Sequence, residues 1–162
     1  MLIYITVFIT LFLIVVVQST LVPFIDVKGI APDLILIFIV YWSCPRGRRQ
    51  GVVWGFLGGI LQDLALGTTA GIFALSKSLA CYLAFSFSWN CQRNDTLLMS
   101  IVLFVAAIVH QIVYFIFTST KSAAGFLTLF LRYGFPSIFY TVFLGIFIYG
   151  FVEWLGKRKE AK

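Results

Sequence analysis

The chain has 162 residues, 61% of them hydrophobic and only 11% charged, whereas an ordinary soluble domain is roughly a quarter charged and about half apolar. That balance excludes an ordinary water-soluble fold. The formal net charge of +6 does not point to nucleic acid, because the basic residues stand in short runs beside apolar segments, the pattern that orients a membrane protein.

A membrane-spanning helix needs about 20 apolar residues, so the length accommodates about six spans in a single all-α integral membrane domain over residues 1–162. Helix one is expected over residues 2–22, ended by Pro23. It lacks the basic start and small-residue cleavage site of a signal peptide and is expected to remain in the mature protein. Helix two is expected over residues 32–44. At about 1.5 Å per residue it covers only about 20 Å of a roughly 30 Å hydrocarbon core, so it must start earlier, thin the bilayer or lie against neighbours. Pro32 and Asp33 open it. Proline suits a first helical position, and the carboxylate can accept free backbone amides there.

The turn Pro45-Arg46-Gly47-Arg48-Arg49 leads to helix three, expected over residues 51–66. Gly51, Gly55, Gly59 and Asp63 recur at every fourth position and share one stripe, with Phe56 beside it. Small residues let a second backbone come close, so this stripe marks helix packing, either within the chain or against a partner's helix. Asp63 lies well inside a span, near the helix end where the dipole disfavours an anion, and so needs a partner. Across the turn Gly67-Thr68-Thr69-Ala70-Gly71, Lys77 in helix four (residues 70–88) is the leading candidate. The two threonines and the free amides that open helix four compete with it.

The polar segment 89–96 precedes helix five, over residues 97–119, which carries His110 and Gln111. Counted from the helix ends, Asp63, Lys77 and His110 lie at similar depth, roughly 17 to 20 Å along, with Gln111 close by and Gln18 somewhat higher. They either form a buried polar layer or each bond a nearby carbonyl. The apolar piece 126–133, interrupted by Arg132, is either an interfacial helix or an early extension of helix six, which Pro136 opens and which runs to about Leu155.

No Ser/His/Asp set, phosphate loop or carboxylate pair stands out, so no catalytic residues and no cofactor are expected. His110 has no second ligand at metal spacing. Cys44, Cys81 and Cys91 show no CxxC pattern and are expected to be reduced.

The run Ala31-Pro32-Asp33-Leu34, then Gly51 to Asp63 with Gly55-Phe56 and Gly59, then Gly67 and Gly71 before Ala74-Leu75, resembles the MreD family of rod shape-determining proteins. Arg132 and the stretch 136–140 are similar to that family's approach to its last helix. The resemblance implies a non-catalytic scaffold subunit in the bacterial inner membrane, part of the cell-wall elongation machinery. The implied partners are the lipid bilayer, an MreC-like bitopic protein, MreB, RodA and a class B penicillin-binding protein. It also implies a fold like that of the substrate-binding subunits of energy-coupling-factor transporters. The alternative function that follows is a transporter subunit binding a small vitamin-like molecule.

Eight basic residues (Arg46, Arg48, Arg49, Arg93, Lys157, Arg158, Lys159, Lys162) fall on the N-terminal side of six spans, against Lys28, Lys121 and Arg132 on the other, with Lys77 inside a span. By the positive-inside rule both termini are cytoplasmic. Reporter fusions after Lys162 and within residues 67–71 are expected to read cytoplasmic and periplasmic respectively; a periplasmic C-terminus sinks the topology.

Overall fold

The computed structural model describes residues 2–20, 24, 26, 29–67, 71–87, 95–118 and 127–160. Among them run six α-helices: α1 (Leu2–Thr20), α2 (Leu34–Ser43), α3 (Arg48–Leu66), α4 (Ile72–Phe87), α5 (Thr96–Thr118) and α6 (Phe135–Glu160). Three helical stretches, Leu2–Thr20, Thr96–Thr118 and Leu127–Trp154, are long and apolar enough to cross a membrane, and Leu34–Arg46 and Ile72–Ser86 are shorter apolar helices. The outer faces are apolar too, with Phe8, Phe12, Phe143 and Phe147 all largely exposed. Apolar residues around most of the helix circumference suit lipid rather than water as the outer solvent.

Side-chain bonds tie the helices together at both ends. Gln18 of α1 bonds the chain entering α2, and Asp63 of α3 bonds the start of α4. Arg48 at the start of α3 reaches Ser86 at the end of α4, and Thr96 opening α5 donates to Glu153 near the end of α6. Consecutive helices therefore run antiparallel. Arg46, Arg48 and Arg158 lie at one end and stack on Trp42, Tyr82 and Trp154 at 3.5, 4.9 and 4.1 Å from the ring centres. Cations resting on aromatic faces suit a membrane-water boundary.

The boundaries differ from expectation in places that have physical reasons. Helix two starts at Leu34, not Pro32, and spans only 10 residues before a 3-10 turn, Cys44–Arg46. Gly47, at φ +83°, reverses the chain so tightly that α3 begins at Arg48. Gly67 closes α3 in the left-handed region that glycine enters at no steric cost. The piece before Pro136 is an extension of the last helix. Residues 127–129 are helical and a π-turn, Phe130–Gly134, leads directly into α6, with the Phe135 N–H donating to the Phe130 carbonyl. Pro136 sits second in α6, has no N–H for the Arg132 carbonyl, and its ring would crowd that group in a regular helix; the wide turn opens the spacing there. Cys44 is also a correction, since it is disulfide-bonded whereas buried Cys81 is free. Cys91, Thr68 and Thr69 lie outside the described residues.

The most extensive helix pair is α3 with α4, and the glycine stripe makes it. A Cβ on Gly51 would meet the Phe85 ring at 2.6 Å, one on Gly55 the Lys77 carbonyl at 3.0 Å, and one on Gly59 would run into the backbone of Phe73 and Ala74. The stripe is thus filled by the chain's own α4. Phe56, on a different face, is half exposed. Replacing Gly59 by Leu is expected to lower the melting temperature of the purified protein sharply, since overpacking costs about 1–3 kcal/mol even where side chains can adjust, and here backbone must move. Phe56→Leu, on the open face, is expected to change it little. A neutral Gly59→Leu would overturn this packing.

Candidate functional site

The site grows from the segment 31–33, which enters the bundle without helical hydrogen bonds. Backbone groups at such depth must find partners in the protein. Gln18 serves two of them, donating to the Pro32 carbonyl and accepting from the Leu34 N–H, each at 2.9 Å. Ser137 of α6 donates to the Ala31 carbonyl at 2.7 Å, and Gln111 of α5 donates to Ser137 at 2.9 Å. The Asp33 N–H goes to Thr141 of α6 at 3.1 Å. Three helices thus hold three residues of chain, α1 and α6 directly and α5 through Ser137.

Asp33, the N-cap of α2, accepts from the Leu36 N–H through Oδ1 at 2.9 Å. Its Oδ2 is ion-paired to Lys77 of α4, whose side chain is fully buried. His110 of α5 completes the set, with Nε2 3.4 Å from the same Oδ2. Lys77 therefore pairs with Asp33, not with Asp63. The reason is depth: Lys77 lies five residues into α4, about 7.5 Å below its first residue, level with the start of α2.

Asp63 instead caps α4. Its oxygens accept from the backbone amides of Gly71, Phe73 and Ala74 at 3.1, 3.2 and 3.1 Å. A carboxylate at a helix N-terminus meets unpaired N–H groups and the positive end of the dipole, which offsets its unfavourable place near the end of α3. Gly59, one turn earlier, admits the α4 backbone closely enough for this contact. Of the polar residues grouped from the sequence, the structure joins Lys77 and His110 through Asp33, places Gln111 beside them through Ser137, and sets Asp63 apart.

Above this set lies a partly open cavity of about 190 Å³. Asp33, His110 and Gln62 line its polar side, and Phe73, Tyr114 and Tyr133 its aromatic side. Phe73 and Tyr114 stack at 5.0 Å. His110 Nδ1 and Gln62 Oε1 are buried and have no hydrogen-bond partner among the described residues. Among those residues no group of three or more His, Cys, Asp or Glu could hold a metal ion. Gln62, Ser137, Thr141 and Tyr133 were not singled out from sequence. The available signal was polarity inside apolar spans: Gln62 adjoins Asp63, and Ser137 and Thr141 stand four apart on one face of α6.

The family described as rod shape-determining protein MreD matches residues 1–159. The chain belongs to the MreD family. A rod shape-determining protein MreD from Haemophilus influenzae (strain ATCC 51907 / DSM 11121 / KW20 / Rd) is 33% identical over 52 residues, which is 32% of each chain. The aligned stretch thus spans about a third of that relative's length. No solved structure matches.

In this MreD-family chain the Asp33–Lys77 contact predicts a specific pattern of stabilities. Removing one member of a buried pair typically costs about 3–5 kcal/mol, because the other charge is left uncompensated. Lys77→Met and Asp33→Asn are each expected to destabilise the purified protein strongly, with the double change clearly milder than their sum. Asp63→Asn combined with Lys77→Met is expected to be additive. Additivity for the Asp33 pair in thermal unfolding would exclude the contact.

Proposed function

We propose that this protein is a non-catalytic scaffold subunit of the bacterial cell-wall elongation machinery, a multi-pass inner-membrane protein that acts by binding an MreC-like bitopic partner. It works alongside MreB, RodA and a class B penicillin-binding protein. The observation that carries this reading is the family match over residues 1–159. In fold we read it as similar to the substrate-binding subunits of energy-coupling-factor transporters, with both termini cytoplasmic.

The helix arrangement supports a binding role of a particular kind. The glycine stripe is occupied by α4, so a partner span would meet other faces. Helix α1 is the least covered of the three long spans, with 17% of its apolar window buried against 39% in α5. Its outward residues Phe8, Phe12 and Val16 are large and apolar, and association of such faces in lipid rests on van der Waals packing.

Affinity purification of the tagged protein in mild detergent is expected to recover an MreC-like bitopic protein, and its depletion from a rod-shaped host to yield rounded cells. Recovery of the protein without such a partner, together with unchanged rods on depletion, would exclude the scaffold reading.

A further inference from the structure

We propose that the cavity above Asp33 is a binding site for a small uncharged ring compound presenting at least two hydrogen-bond donors, hydroxyl or N–H. The proposal rests on the geometry of the cavity and is independent of the scaffold role.

The donor requirement follows from what the walls lack. A carboxylate only accepts, so the His110 proton belongs on Nε2, 3.4 Å from Asp33 Oδ2. With the Lys77 ammonium on that same oxygen, a second cation beside it would be repelled, and the imidazole is neutral. His110 Nδ1 is then a lone-pair acceptor, and Gln62 Oε1 is another. Both are buried without partners among the described residues, and His110 and Gln62 are only 4% and 5% exposed. Buried polar groups in folded proteins are nearly always bonded, so two acceptors without partners on side chains that line one cavity define a place for donors.

The remaining properties come from charge, shape and size. Asp33 and Lys77 cancel, so a charged guest finds no counter-charge to offset the water it leaves behind. Phe73 and Tyr114, stacked on each other, line the cavity, and Tyr133 leans from the π-turn over Gly29, where a Cβ would stand 3.0 Å from its ring. Aromatic faces of this kind favour a flat or ring-shaped apolar surface. The volume of about 190 Å³ falls below the roughly 300–1,000 Å³ of sites for drug-sized ligands, which limits the guest to a single ring with small substituents. Water offers the same donors and is the competing occupant.

Calorimetric titration of the protein in nanodiscs distinguishes the two, with glucose and uracil as neutral rings and glucuronate and orotate as their charged counterparts. At least one neutral ring is expected to bind, at least tenfold tighter than its charged counterpart. Gln62→Leu is expected to weaken that binding at least tenfold. Tyr133→Ala, at the partly exposed rim, tests the site again if Gln62→Leu fails to fold. No binding by either neutral ring, equal binding of the charged counterparts, or affinity unchanged in the folded variants would overturn the site and leave the cavity to water.

Discussion

Inside a bilayer a backbone amide or carbonyl has no water to turn to, and an unsatisfied group costs several kcal/mol. Most of this bundle meets that constraint with helices. Residues 31–33 do not, and much else in the structure follows from serving them. Gln18, Ser137 and Thr141 are polar residues in apolar helices because they stand in for the missing turn of α2. The resulting short α2 has 10 residues, about 15 Å, and it begins far enough inside for its capping carboxylate to need a cation.

Two aspartates meet related needs by different means. Each caps a helix that begins near it, Asp33 its own α2 and Asp63 the following α4. Three backbone amides surround Asp63, and the close α3–α4 approach at Gly59 brings them within reach. Asp33 has one capping amide and turns its other oxygen inward, where Lys77 supplies the compensating charge. The cavity sits where that pair meets His110 and the aromatic residues of α4, α5 and the π-turn. A buried ion pair adds little net stability over an apolar replacement, so its presence beside a polar cavity is better understood through what it positions than through what it stabilises.

The long stretches of α1, α5 and α6 could be read from hydropathy because spans in lipid must be long and apolar. The glycine spacing was equally visible in the sequence and settled the α3–α4 face once the structure supplied the neighbour. Pairings were harder to read. Asp63 and Lys77 share a hairpin and similar counted depth, which favours them in sequence, yet counting treats every helix as starting at one plane. Residues 31–33 break that assumption by carrying the start of α2 inward to Lys77. The capping role of Asp33 could be read from Pro32 and the helix pattern, but a cap has a second oxygen, and its partner lies 44 residues away. The π-turn had no local signal beyond Pro136, and it is what sets Tyr133 at the cavity.

The anchoring of residues 31–33 also has a consequence for how the chain enters the membrane. The bonds from Ser137 and Thr141 reach back 106 and 108 residues, so they do not exist while α1 and α2 are emerging. Until α4 arrives, Asp33 has no lysine, and a carboxylate inside a membrane without a counter-charge is costly. A ten-residue helix with that burden is a poor transmembrane segment on its own. Helix α2 therefore acquires its anchors only once α4 and α6 have been made.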